Sequence, residues 1–169
     1  LALRDKHRYN LVFLINEQRK PKVIRFKKFL FYDEDREELL SLIAEPRICL
    51  VTTALKQGVF TVVPILAEAI ARRVEANVEE PLCVVACEAP TIETSAGLRD
   101  KILQARPGLD LAVFVGKVSF PSCIVDRICG EPAIRPATGQ VKVETESFGE
   151  WIIETDRNLE TILPRSTEG

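Results

Sequence analysis

The sequence predicts an α/β fold built on a mainly parallel sheet, and three observations carry the prediction. Near-continuous apolar runs of strand length recur: NLVFLI at 10–15, ICLVTTA at 48–54 and LCVVAC at 82–87. Runs that are apolar at nearly every position suit strands covered on both faces, as in a parallel sheet. Between the last two lies a long segment whose apolar residues recur at helical spacing, so strand, helix and strand alternate. Finally, the strands end in small or polar residues: Thr52, Thr53 and Ala54 after one, Glu88 and Ala89 after the next. In an open α/β sheet, ligands bind at the carboxyl ends of the strands, so these are the first residues to consider for chemistry.

In chain order, residues 1–8 are charged and short, as in the tail of a helix, and 10–15 form the first buried strand. Residues 18–21 (QRKP) carry a turn signal. Residues 23–32 alternate loosely and read as one or two exposed strands, whose Lys and Arg make a solvated edge that discourages unwanted pairing. Asp33 or Asp35 is placed to cap a helix running to about Ala44. Leu39, Leu40, Leu42 and Ile43 supply its buried face, and Pro46 closes it. Residues 47–54 then read as a strand at the centre of the sheet.

Gly58 precedes a long helix ending near Ala76, with Val59, Val62, Val63, Leu66, Ala67, Ile70 and Ala71 as its apolar positions. Pro64 either kinks this helix or marks its real start. Arg72 and Arg73 suit the negative C-terminal end of its dipole. After the strand at 82–87, Thr91 or Thr94 caps a helix over 95–105, which Pro107 and Gly108 terminate. LAVFV at 111–115 is read as a further strand. Residues 118–127 are extended with an interruption at Pro121. The proline- and glycine-bearing stretch 130–139 is loop, 141–145 alternates cleanly, and 150–153 continues or re-forms that strand. The tail from Asp156 is polar and irregular.

Composition narrows the function. The 169 residues are 46% hydrophobic and 28% charged, with a formal net charge of -2. Nothing basic points to nucleic acid, and no apolar run approaches the roughly 20 residues that span a bilayer. Five cysteines, an odd number in apolar surroundings, argue against a secreted disulfide framework. Cys83 and Cys87 lack a second ligand pair, so packing is preferred to a metal site and none is assigned. A reducing compartment follows, the cytoplasm or an organelle matrix. The chain begins with Leu1 and contains no Met, which is expected of a processed or partial chain. A sheet lacking its first strand would bare an apolar edge, so further residues or a covering protein partner are expected.

Four local patterns, in order, go further: VTTA (51–54), VPILAEAIARR (63–73), VVACE (84–88) and FPSCIVDRI (120–128). Together with VETESFGEW (143–151) they resemble the mannitol-1-phosphate 5-dehydrogenase and mannitol dehydrogenase family of long-chain polyol-specific dehydrogenases. The resemblance implies a Rossmann-like sheet lacking its first Gly-rich βα unit, with a C-terminal strand extension. It divides the chain into a partial dinucleotide-binding domain over 1–115 and an extension over 116–169 toward a C-terminal substrate domain. The implied activity is NAD-dependent interconversion of a sugar alcohol, or its phosphate, and a ketose, with NADP left open. Thr52, Thr53 and Ala54 would lie against the cofactor; the plainer reading is a strand ending in a helix cap. Glu88 would be catalytic, or simply a local hydrogen-bond acceptor. Asp126 would stand near the substrate, or form a structural pair with Arg127.

The chain also departs from the family pattern. Ala89 stands where the family carries an Asn that donates toward the reacting oxygen, and Ser122 replaces a second Asn. No G-x-G-x-x-G occurs to cradle a pyrophosphate, and the only histidine is His7. The family's proton-transfer Lys lies in a domain beyond these residues. The 169 residues alone are therefore expected to bind NAD(H) weakly or not at all and to turn over no polyol. The alternative is a degenerate dehydrogenase-like binding or scaffold subunit of a larger assembly.

Overall fold

The computed structural model describes residues 8–15, 18–25, 30–88, 93–126, 130, 133–135, 140–146 and 150–154. The chain divides into two units. One comprises Leu1–Asp35 with Asp126–Glu150, the other Arg36–Val125 with Trp151–Gly169.

The first unit is a four-stranded sheet in the order β2-β1-β8-β7. β1 (Arg8–Ile15) and β2 (Gln18–Arg25) pair antiparallel, from Arg8 opposite Arg25 to Ile15 opposite Gln18. The turn expected at 18–21 is therefore strand, because Pro21 falls within a ladder that runs on to Arg25. Of the strands expected over 23–32, only the part to Arg25 is extended; Leu30 and Phe31 are irregular, and 26–29 lie outside the described residues. β1 pairs parallel with β8 (Gln140–Glu146), Asn10 opposite Lys142 and Leu14 opposite Glu146. β7 (Ala133–Arg135) pairs antiparallel with β8, so part of the stretch read as loop is a strand. Its short run AIR sits between the prolines, which confines it to three residues.

The second unit is layered α/β. Its sheet runs β3-β4-β5, all parallel: β3 is Leu50–Thr53, β4 Leu82–Ala86 and β5 Val118–Ser119. Every residue of β4 is buried, as its uninterrupted apolar sequence demands. β3 lies beside it, with Leu50 opposite Cys83 and Thr53 opposite Ala86. The expectation that 47–54 forms the sheet centre is thus corrected. β4 is central among the described strands, and β3 is shorter, half-buried and exposed at Thr52. Cys49 still contributes, since its carbonyl accepts the Cys83 N–H at 2.8 Å.

Helix α1 (Arg36–Ala44) has Glu37 and Glu38 in its first turn and buries Leu40 and Ile43. Asp35 closes the preceding turn, its Oδ2 accepting the Phe31 N–H at 2.8 Å while its own N–H donates to the Phe31 carbonyl. A 3-10 segment (Lys56–Val62) leads from β3 into α2 (Val63–Glu75). Pro64 sits in the first turn of α2, where its missing N–H costs no helical bond, so it marks the start and makes no kink. α2 is the most buried helix described, with Ile65, Leu66, Ala69 and Ile70 inside. It ends in a left-handed residue, Asn77 (φ 53°). The Asn77 N–H returns to the Val74 carbonyl and the Val78 N–H to the Arg73 carbonyl, a Schellman closure.

Arg73 departs from its expected role. It is 4% exposed and turns inward, away from its own helix end. Its Nη1 donates to the Glu45 carbonyl at 2.6 Å and the Ile43 carbonyl at 3.3 Å, and Nη2 donates to the Glu80 carbonyl at 2.8 Å. α1 has no basic residue in its last turn, so Arg73 supplies the cation there from the neighbouring helix. Arg72, by contrast, lies outside and pairs with Glu37 on α1 and Glu68 on its own helix.

α3 (Glu93–Ala105) contributes Leu98 and Ile102 to the core. Ser95 Oγ donates to the Pro121 carbonyl at 2.9 Å and anchors the chain beyond β5. Residues 111–115, read as strand, are helical instead: α4 spans Leu111–Lys117. Phe114 is buried and stacks on Phe120 (ring centroids 5.7 Å), whereas its neighbour Val115 is 65% exposed. One inward residue per turn is enough for so short a helix, and a five-residue apolar run cannot reveal which period it follows. Pro121 then separates β5 from β6 (Cys123–Asp126), which pairs with β9 (Glu150–Ile153) as the strand extension. Ile124, Val125, Trp151 and Ile152 are exposed on that two-stranded ribbon. Among the described residues no helix is long and apolar enough to cross a membrane.

Candidate functional site

The parallel pairing of β3 and β4 brings their carboxyl ends side by side, and three bonds tie them there. The Cys87 N–H extends the ladder to the Thr53 carbonyl at 2.9 Å. Glu88, the next residue, folds back across the gap. Its Oε1 accepts the Thr53 hydroxyl at 2.9 Å, and both carboxylate oxygens lie 2.9 Å from the Leu55 amide nitrogen. Glu88 is 7% exposed and Thr53 6%, so the carboxylate is desolvated, and these donors replace its water.

This tie divides the residues singled out in the sequence. Thr53 and Glu88 are brought together, inside the structure. Thr52 and Ala54, on either side of Thr53, are exposed, as expected where successive strand residues face opposite ways. Leu55 is 43% exposed and begins the 3-10 segment with no cap from its own side chain. Glu88 supplies acceptor atoms to that otherwise open amide from the neighbouring strand. The strand ends therefore offer two small exposed side chains, Thr52 and Ala54, above a buried polar tie.

Asp126 ends β6 with its side chain exposed; it is grouped with the first unit, whereas Thr53 and Glu88 belong to the second. Ala89 and Arg127 lie outside the described residues, as does His7. Ser122 is half-buried. Its N–H donates to Glu154 Oε2 at 3.3 Å, and its carbonyl accepts the Glu154 N–H at 2.9 Å, which pins the entrance of β6 to the exit of β9.

A feature that the sequence reading missed adjoins Glu88. Cys87 is half-buried beside the Cys123 thiol, and the Trp151 indole N–H points at Cys123 Sγ. Burial first, then Cys123 and the Glu88 charge, push the Cys87 thiol up to about 12, with Trp151 pulling the other way. Such a thiol stays protonated at neutral pH. Sequence spacing gives no sign of this grouping, since Cys87, Cys123 and Trp151 come from three separate strand ends. Cys83, four residues before Cys87, is buried and faces Ser119 Oγ at 2.9 Å. Among the described residues no group of three or more His, Cys, Asp or Glu side chains converges to hold a metal ion.

The fold has known counterparts. Over residues 1–164 the chain matches the family model described as the mannitol dehydrogenase Rossmann domain. It belongs to that family. Among solved structures it is similar to a Pseudomonas fluorescens mannitol 2-dehydrogenase, a ternary complex with NAD and D-mannitol. The TM-score is 0.70 and the identity 20%, over 92% of this chain and 40% of that one. It is also similar to a D-sorbitol dehydrogenase in substrate-free form, with a TM-score of 0.74 and 18% identity over 88% of this chain and 39% of that one. The chain thus spans well under half the length of these solved relatives. As a member of the mannitol dehydrogenase Rossmann-domain family it carries the Rossmann-like α/β fold read from the sequence. The three parallel strands β3-β4-β5 are its clearest expression.

Proposed function

We propose that this chain is the dinucleotide-facing part of an NAD-dependent oxidoreductase that interconverts a sugar alcohol, or its phosphate, and a ketose. The supporting observation is the tied end of β3 and β4. Parallel strands end together there, and exposed Thr52 and Ala54 present small side chains over a fixed backbone. A dinucleotide lying along the strand ends needs that kind of surface, since bulk at either position would hold it away from the sheet. Family membership supplies the reaction class. NAD when bound supplies the hydride acceptor. The residues of this chain hold and orient: Thr52 and Ala54 face the cofactor, the Thr53–Glu88 tie fixes their backbone, and Asp126 orients the polyol. Proton transfer falls to a Lys outside these 169 residues.

A second reading, a dehydrogenase-like binding or scaffold subunit, is favoured by Ala89 and Ser122 at the two positions where an amide is expected. One experiment separates the two. In the full-length protein that carries this chain, NADH binding is followed by fluorescence and polyol oxidation by absorbance at 340 nm. Binding with turnover supports the oxidoreductase, and turnover should rise in Ala89→Asn. No NADH binding and no turnover on mannitol, sorbitol or their phosphates refutes it in favour of the scaffold.

A further inference from the structure

We infer that Glu88 is a positioning residue for the cofactor surface, holding the β3 end in its binding shape through Thr53 and the Leu55 amide; this rests on the oxidoreductase reading above. A proton-transfer group needs an open path from a carboxylate oxygen to the substrate. Glu88 has none: it is 7% exposed, and both oxygens lie 2.9 Å from the Leu55 nitrogen, with the Thr53 hydroxyl also on Oε1. Its negative charge is spent on donors from the neighbouring strand. Nor is it simply filling space. The Leu55 amide opens the 3-10 segment that carries the chain into α2, and no side chain of its own segment caps it. The Glu88 carboxylate is the acceptor that fixes where the chain turns after Ala54.

Two consequences follow for recognition. The Thr53 hydroxyl is engaged and buried, so Thr52 is the threonine free to face the dinucleotide. The carboxylate also sets a buried negative charge beside the Leu55 amide, which disfavours a phosphate there. The β3 end therefore receives a part of the cofactor that carries no negative charge, such as a ribose or the nicotinamide ring, and not the pyrophosphate.

The test uses Glu88→Gln and Thr53→Val in the full-length protein, with two readouts. The first needs no cofactor: amide hydrogen exchange at Leu55 should quicken at least 10-fold in Glu88→Gln, because a neutral amide cannot replace a charged acceptor at both oxygens. The second is kinetic. KM for the dinucleotide should rise about 10-fold in either variant, the equivalent of one lost charge-assisted bond. At the same time kcat and the polyol KM should stay within about 2-fold, a split that general loss of structure would not produce. The double variant should be no worse than the worse single, since both cut the same tie. Unchanged exchange at Leu55 overturns the inference whatever the enzyme does. Normal dinucleotide binding by the wild type with an unchanged KM in both variants overturns the inference alone, and so does a fall in kcat of a hundredfold or more at unchanged KM, which would make Glu88 catalytic. A wild-type protein that binds no NADH overturns the oxidoreductase reading, and this inference with it. Should Glu88→Gln fail to fold, Thr53→Val carries the kinetic test, because it exchanges the hydroxyl for a methyl group and keeps the branched shape.

Discussion

Replacing Arg73 by Met should be among the most damaging single changes in the α1–α2 region. The substitution keeps the apolar stem and removes the donors. Two of the bonds lost are short and charge-assisted, to the Glu45 carbonyl at 2.6 Å and the Glu80 carbonyl at 2.8 Å; the third, to Ile43 at 3.3 Å, is weaker. At about 1.5 kcal/mol for each strong bond the loss is about 3 kcal/mol. That is a large share of the 5–15 kcal/mol typical of a whole domain. Burial also pulls the guanidinium pKa below its usual value, yet the group stays charged at any pH a protein survives. The loss should therefore be the same at pH 6 and pH 9. Urea unfolding gives the measure: the midpoint should fall while the slope stays constant. Arg73→Lys should recover part of the stability, since one ammonium cannot span carbonyls on both sides. A loss below about 1 kcal/mol in Arg73→Met would refute the reasoning. It would mean that water or main-chain shifts satisfy the three carbonyls as well as Arg73 does.

Phe114→Ala should cost about 3–5 kcal/mol, because a buried ring stacked on Phe120 leaves a cavity; thermal unfolding is the check. Val115→Ala, one residue on and exposed, should change little in the same measurement. The Cys87 thiol should make stability fall with alkali. Its unfolded form ionises near 9.0 and its folded form only at about 12, so its contribution is whole below pH 9 and lost as pH climbs toward 12. Cys87→Ser should flatten that part of the stability curve relative to wild type, and Cys87 should label more slowly at pH 8 than an unperturbed thiol. Asn77→Val should cost about 1–2 kcal/mol at the left-handed helix end, whereas Asn77→Gly should be nearly neutral, as measured by chemical unfolding.

How far the sequence could be read depended on whether local pattern or distant geometry decided each residue. β4 was plain because five consecutive apolar residues between polar flanks have no other comfortable place than the middle of a parallel sheet. Pro64 offered a kink or a start, and the structure chose the start because the 3-10 segment precedes it. Residues 111–117 misled, since LAVFV satisfies a strand and a two-turn helix equally, and only the placement of Phe114 against Phe120 decides. Arg73 misled for a different reason. Beside Arg72 at the end of a helix it looks like a dipole partner, and nothing local announces that carbonyls of two other segments await it. At the candidate site the strand ends were legible, but the division of labour between them was not. That Thr53 is engaged while Thr52 is open depends on the register of β3 against β4, which no single strand encodes.

The interrupted make-up of the first unit bears on how the chain is made. β1 and β2 are made one directly after the other and can zip into a hairpin at once. The other side of β1 waits for β8, at residues 140–146, with the whole Arg36–Val125 body made in between. At ordinary ribosomal rates the delay is on the order of ten seconds. For that time β1 presents a bare ladder of N–H and C=O groups. The second unit needs no such wait, since most of its strands and helices follow one another directly. A nascent chain of this design should thus settle its layered α/β unit first and remain sticky along β1 until β8 is made. Yield during expression should respond to charges placed along that ladder.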